Sequence, residues 1–465
     1  RTMRHLSKLL PCVFGLAALG AADANAVETW LTAERLLDVR SGRWIEQPGV
    51  LIRDGRIVSI TPKAADQPAP EQARRVTLDG MSIVPGLIDM HVHLDFDPRY
   101  SGYSGLQFND RFWSVVMVPQ AQRTLRAGFT TVRNVGSRDW NDVGLREAID
   151  AGQLVGPRVV SAAYAFGATG GHCDETFYPP SMAMHSPYNA DSPEEGRKRV
   201  REIRKYGAQV IKICATGGVF SRNTEPGQQQ LHREEMAAIV EEAHMWGLKV
   251  AAHAHGTYGI RDAIAAGVDT IEHASLIDAK GIELALEHGT WLSMDIYNTD
   301  YTQSEGKKNG VLEDNLRKDR EVGDLQRENF RKAHAAGVRM VFGTDAGIFP
   351  HGENAKQFAV MVRYGMTPLE AIQSATLNAS EALARDDIGV LEAGRWADMV
   401  AVNGDPTQDV TLLERIPVVI KAGEVLKDTR QRDQRARLIQ RRIDEAAASM
   451  RDRPRGEPLR QASEQ

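Results

Sequence analysis

Four histidines, a lysine and an aspartate stand at positions where their chemistry could converge. His91-Val92-His93 closes the apolar run Ile83–Met90. On an extended strand, residues two apart share a face, so both imidazoles aim the same way. Lys212 sits inside Val210-Ile211-Lys212-Ile213-Cys214. A bare ammonium is costly to bury there, and burial lowers its pKa toward an amine that can react. His253 ends Val250-Ala251-Ala252, with His255 two residues on; His273 ends Val268–Glu272, and Asp345 ends Met340–Thr344. Imidazoles and carboxylates are the donors that hold divalent cations, which activate water and polarise carbonyls. A surface histidine pair or a snorkelling lysine explains any one of these residues, but core packing does not explain all of them at strand ends.

The elements between them set the architecture. Apolar, β-rich runs fall at Ile83–Met90, Thr130–Val135, Val159–Ala162, Val210–Ile213, Lys249–Ala252, Thr270–Ile271, Trp291–Met294 and Arg339–Phe342, and amphipathic stretches such as Glu234–Met245 and Thr257–Ala266 separate most of them. This alternation predicts an α/β fold, a (β/α)8 TIM-type barrel whose chemistry lies at the C-terminal ends of the strands. A doubly wound open sheet is the competing architecture, and no glycine-rich phosphate fingerprint follows an early strand to support it. Outside the barrel, Val50–Ile52, Arg53-Asp54-Gly55-Arg56 and Ile57–Ile60 read as strand, turn, strand. Ala397–Val402 and Val418–Gly423 are also strand-like. We expect one small β-sandwich domain built from both ends of the chain: residues 27–84 and 394–428 around a hydrolase barrel at 85–393.

Taken together, these residues resemble the amidohydrolase superfamily over residues 30–428. The phrases Val84-Pro85-Gly86-Leu87-Ile88-Asp89-Met90-His91-Val92-His93, Gly343-Thr344-Asp345-Ala346-Gly347 and Ala393-Gly394-Arg395-Trp396-Ala397-Asp398 carry the resemblance, as do the intervals separating Lys212, His253, His273 and Asp345. The nearest branch contains prolidase-like Xaa-Pro and Xaa-Arg dipeptidases, carboxypeptidases and ochratoxin-hydrolysing amidases. The resemblance implies two divalent metal ions, zinc by expectation. His91 and His93 would hold the more buried ion, carboxylated Lys212 would bridge both, and His253 and His273 would hold the second. Asp345 would bind metal and take the proton of a bridging hydroxide. The family places the ligand at His253 rather than His255, which leaves His255 to line the pocket.

Further residues are assigned to substrate. Tyr258 matches a family tyrosine near the scissile carbonyl, where a phenol could stabilise an oxyanion. His172, in the loop Gly167–His172, resembles a family histidine that contacts substrate. Arg222, in the loop Gly217–Pro226, could hold a carboxylate bidentately, and His351 could line the same mouth. An ordinary helix or loop position is the plain alternative for each. The implied reaction is hydrolysis of the amide bond of a small peptide or N-acyl amino acid with a free C-terminal carboxylate. Cyclic amides, lactones and phosphoesters are alternatives on such a site. A single-metal deaminase fits less well because it typically lacks the bridging lysine, and a non-catalytic binding protein would not need the complete set.

Composition narrows the partners. The chain has 465 residues, 42% hydrophobic and 26% charged, with a formal net charge of −5. It offers no basic patch for nucleic acid and no basic amphipathic segment for a membrane surface. Residues 1–26 read as a signal peptide: a basic start, the short apolar run Leu9–Leu19, and Ala24-Asn25-Ala26 before the cut. Cys12 lies near the start of that run rather than after it, and so is not placed for lipid attachment. A secreted or periplasmic protein follows, with no membrane attachment after cleavage. Its two remaining cysteines, Cys173 and Cys214, could form one disulfide or stay as reduced pocket residues. Residues 429–465 are expected to hold one charged helix, Leu438–Met450, and a tail. Relatives often form homo-oligomers, and the sequence carries no interface signal of its own.

Overall fold

The structure is a computed structural model that describes residues 28–64 and 67–430. The expected signal peptide and the C-terminal helix lie outside the described residues.

Two kinds of sheet divide the chain. The first is mixed and draws on both ends. From the N-terminal side come β1 (Thr29–Asp38), β2 (Arg43–Glu46), β3 (Gly49–Arg53), β4 (Arg56–Thr61) and β5 (Arg74–Pro85). The strands β6 (Leu87–Val92), β7 (Phe129–Asn134), β8 (Arg158–Ser161), β9 (Val210–Cys214), β10 (Lys249–Ala254), β11 (Thr270–His273), β12 (Trp291–Ser293) and β13 (Met340–Val341) follow. Last come β14 (Met399–Asn403), β15 (Val418–Lys421) and β16 (Glu424–Asp428), which return to the first sheet in the order β16-β15-β14-β5-β1-β3-β4, with β2 on β1. The seam is the antiparallel pairing of β5 with β14, Val84 opposite Val400. Leu31, Leu36, Ile52, Leu78, Ile83, Met399 and Ile420 form this sheet's apolar layer. The β3–β4 hairpin turns at Asp54 and Gly55, both at positive φ, as an Asp-Gly two-residue turn requires.

Strands β6 to β13 are parallel, in runs β6-β7-β8 and β13-β12-β11-β10-β9. Isolated parallel bridges join Phe166 to Ile213 and Val92 to Ala346, linking the two runs at both margins. Helices such as Arg233–Met245 and Thr257–Ala265 connect successive strands. Strands covered on both faces need continuous apolar sequence, and β6 and β9 are buried at every residue.

One expected strand is two. Ile83–Met90 divides at Gly86: Ile83 to Pro85 pair in the mixed sheet with β14, and Leu87 starts the parallel set against β7. A Cβ at Gly86 would overlap the Thr130 side chain, so the chain changes sheets where no side chain is present. This joint sets the two histidines five and seven residues further on.

Candidate active site

The strand ends converge on a cavity of about 420 Å³ lined by His91, His93, His172, Lys212, His253, His255, His273 and Asp345. His91 is the penultimate residue of β6, Lys212 is central in β9, His253 is in β10 and His273 closes β11. Parallel register brings them level: Lys212 stands opposite Ala251, and His273 opposite Ala254. All of the expected metal residues therefore meet. His91 Nε2 and His93 Nε2 each lie 3.3 Å from Asp345 Oδ1. The His91 and His273 rings are 5.0 Å apart, and those of His253 and His273 4.6 Å.

Two of these residues hold unusual backbone conformations. His273 has φ 69° and Asp345 φ 59°. Left-handed conformations strain residues with a Cβ and persist where the surroundings over-determine them. Here the Asp345 amide donates to His91 O, and the Thr344 hydroxyl donates to buried Asp89.

Behind the ligand candidates is a layer that the sequence reading did not identify. His91 Nδ1 lies 2.9 Å from Glu272 Oε2, and Arg133 Nη2 donates to Glu272 Oε1 at 2.6 Å. Arg133, among the largest wholly buried side chains, also donates to Met90 O and Thr270 Oγ1. His273 Nδ1 lies 2.9 Å from Asp295 Oδ1, which also accepts from Gln326 Nε2. Carboxylates behind ligating imidazoles fix the ring and raise its basicity. The sequence held a signal for this layer: Arg133 in β7 and Glu272 in β11 each interrupt an apolar strand, and opposite charges buried inside the parallel set need each other.

Electrostatics follow the same geometry. Burial opposes the charge of Asp345, yet His91 and His93 hold its pKa well below the usual carboxylate range. Burial likewise opposes Glu272, and Arg133 with His91 keeps it ionised. Burial pulls the Lys212 ammonium down to about 8, against the attraction of Glu272 and Asp345. Burial also lowers His172 to about 3 and places His253 and His255 well below the ordinary imidazole value.

These residues fit divalent cations. His91 Nε2 is a wholly buried nitrogen with no hydrogen-bond partner, aimed at Asp345. His91, His273 and Asp345 form one set whose donor atoms all lie within 4.8 Å of one another, and His253, His255 and His273 form a second. The second set admits His255 beside His253, and the contacts distinguish their nitrogens. His253 Nε2 lies 3.1 Å from Gly217 O, while His255 Nδ1 lies 2.8 Å from Ser275 Oγ, which leaves the opposite nitrogen of each ring available.

The substrate candidates divide. His172 lines the cavity; its ring stacks on His253 with centroids 4.1 Å apart, and its Nδ1 lies 2.9 Å from Ser221 Oγ. Tyr258 lines none of it: the side chain is 70% exposed on its helix and packs by Arg261. A helix rotates each residue away from its neighbour, so proximity to His253 in sequence does not bring the ring inward. Arg222 stays outside the lining and donates to the Tyr103 hydroxyl at 2.6 Å. His351 is buried behind the site, its Nδ1 3.0 Å from Thr124 Oγ1 and its Nε2 3.0 Å from His93 O. It braces the strand end carrying His93. The guanidinium that does line the cavity is Arg138, paired with Glu175 at 3.1 Å. Cys173 and Cys214, left open between thiols and a bond, are disulfide-linked.

Comparison with known proteins agrees with this arrangement. The Amidohydrolase family matches residues 82–426. Ochratoxinase from Aspergillus niger is 31% identical over 437 residues, covering 87% of this chain and 88% of the relative. A crystal structure of a Xaa-Pro dipeptidase with bound methionine in the active site superposes with TM-score 0.80 and 34% identity, covering 86% of this chain and all of that one. A prolidase complexed with N-methylphosphonate-L-proline superposes with TM-score 0.79 and 29% identity, again over 86% of this chain. By its converging strand ends, its match over most of its length and these likenesses, this chain belongs to the amidohydrolase family.

Proposed function

We propose that this protein is a two-metal amidase that cleaves dipeptides or N-acyl amino acids carrying a free C-terminal carboxylate. The observation that carries this reading is the pair of buried donor sets that share His273, one with His91 and Asp345 and one with His253 and His255, with a His91 Nε2 that makes no hydrogen bond and Lys212 buried in the strand beside β10. Support for amide substrates comes from the likeness to ochratoxinase and to the prolidase structure holding a proline phosphonate. We read β6 to β13 as a closed (β/α)8 barrel, on the strength of the two marginal bridges. We take the mixed sheet as a separate small domain.

His91, His93 and Asp345 would hold one ion, and His253 and His273 the other, with Lys212 between them as its carbamate. An amine whose pKa has fallen to about 8 is neutral often enough to capture CO2. Bound divalent cations, zinc in our reading, would supply Lewis acidity toward the carbonyl and a water acidic enough to react near neutral pH. The protein's own groups do the rest. Asp345, ionised at the cavity floor, accepts the attacking water's proton and returns it to the leaving nitrogen. Neutral His172, in the tautomer that accepts from Ser221 at Nδ1, offers a hydrogen bond from its Nε2–H to the developing oxyanion and keeps its proton. Arg138 takes the substrate carboxylate in exchange for Glu175.

We further propose an exported protein. The sequence of residues 1–26 supports this, and so does a disulfide, which persists in oxidising compartments. Among the described residues no helix is long and apolar enough to cross a membrane.

The test is hydrolysis of a library of dipeptides and N-acyl amino acids by zinc-reconstituted protein, with Lys212→Ala as control. Release of amino acid by the wild type alone is the expected result. A zinc-loaded wild type inert on every amide, but active on lactones or phosphoesters, would overturn the amide reading.

A further inference from the structure

The segment between Ser161 and Pro193 carries His172, yet its regular structure is one short 3-10 turn, Pro180–Met182. Connections this long that lack their own secondary structure are functional loops or disordered ones. This one is functional by position: His172, Cys173, Asp174, Glu175, Phe177 and Tyr178 all line the cavity. Local hydrogen bonds shape it. The Asp174 carboxylate accepts the amides of Gly170, Glu175 and Ser186, and Asp191 accepts from Thr169. Those bonds act within the loop; at its start Phe166 pairs with β9, its amide donating to Lys212 O and its carbonyl accepting from the Cys214 amide.

The covalent tie to that strand is Cys173–Cys214, with Cα atoms 5.8 Å apart, inside the normal range for a disulfide. It joins the residue after His172 to the last residue of β9, two beyond Lys212. Around it the packing is close. A Cβ at Gly167 would stand 3.1 Å from Cys214 O, and a Cβ at Gly218 would overlap the His172 ring. That ring is thereby confined between Gly218 and His253. Its other supports, Ser221 on Nδ1 and Gln230 accepting its amide, belong to residues 217–230, which also follow β9. The disulfide thus links His172's loop directly to the strand that presents Lys212.

We propose that the Cys173–Cys214 disulfide is a positioning element for the reaction: it holds His172 in its stack on His253, and without it His172 leaves the site while the metal residues stay in place. The rate readout rests on the amidase reading; the placement of the loop does not.

The decisive experiment is a double-mutant cycle joined to hydrogen exchange. In the otherwise wild-type protein, C173S/C214S should lower kcat by about 10–100-fold, the scale expected when a catalytic group is displaced by about 1 Å, with KM changed less and zinc content unchanged. In the His172→Ala background the same pair should cost less than about twofold, because coupled residues are not additive. A purely stabilising bond would instead cost the same in both backgrounds, and that result overturns the proposal, as does full activity of the double serine variant. Hydrogen exchange on the wild type before and after reduction serves whether or not any amide is turned over. Faster exchange across residues 168–190, beyond the Phe166 bridge, with β9 unchanged supports the proposal, and unchanged exchange in the loop refutes it. A wild type inert on amides with a loop that loosens on reduction would refute the amidase reading and leave this one standing.

Discussion

The two halves of the site are built on different electrostatics. On one side, His91 and His273 are backed by the carboxylates Glu272 and Asp295. On the other, His253, His255 and His172 are backed by a carbonyl and two hydroxyls: Gly217 O, Ser275 and Ser221. The consequence is visible in protonation. His91 is raised above the ordinary imidazole value: burial and Lys212 oppose its charge, and Asp345 and Glu272 outweigh them. His172, His253 and His255 are all lowered, chiefly by burial. His91 is thus a basic, electron-rich donor, while the histidines of the second half are neutral ones. The same residue type serves as a firm anchor or as a neutral donor according to what stands behind it.

Glu272→Gln tests the contrast at its strongest point. It removes the anion behind His91 and strands the buried Arg133 charge, so unfolding free energy should fall by about 3–5 kcal/mol in urea titrations. Metal affinity should fall by about 10–100-fold. The variant should also lose acid sensitivity. Glu272 ionises more readily in the folded than in the unfolded chain. Its stabilisation is therefore complete above the unfolded value of about 4.3 and is lost as pH falls from there toward its folded pKa. A stability profile below that pH unchanged by the substitution would break the comparison.

Chelation should read the two ions separately. Titrating zinc-loaded protein with a chelator, we expect two ions to leave in separate phases. The ion held by His253 and His273 should go first, because it lacks the direct carboxylate that Asp345 gives the ion on His91 and His93. Release of both ions in one phase would show that the bridge at Lys212 overrides the difference. Ser275→Ala should be mildest: about 1 kcal/mol of stability for one neutral hydrogen bond, with metal stoichiometry retained. A loss matching that of Glu272→Gln would erase the distinction between the halves.

The donors themselves were legible in sequence because a strand's period of two and its C-terminal end are written in apolar runs. His91, Lys212, His253, His273 and Asp345 needed only that logic to be brought together. Residues on helices and loops followed no such rule, so Tyr258 faces solvent, Arg222 lies one residue behind the lining on Tyr103, and His351 braces His93 from behind. The pairing of Arg133 with Glu272 joins strands that are not neighbours in the chain, and one sequence does not say which strands face each other. The division of Ile83–Met90 at Gly86 was hidden for a related reason. Both sheets want the same apolar residues, and only the Thr130 side chain crossing the joint shows why the chain must turn there.

The seam between β5 and β14 also sets an order of events during biosynthesis. β1 to β5 leave the ribosome first, but the partner that covers β5 on that flank is made after the whole parallel set. Until then β5 presents an open edge of unpaired peptide groups, the kind of surface that pairs with other chains. Contacts so distant in sequence close late and slowly. Because β5 runs through Gly86 directly into the strand bearing His91, a chain truncated before residue 399 would keep every donor named here and still lack the strands that cover the flank of β5 leading into the first of them.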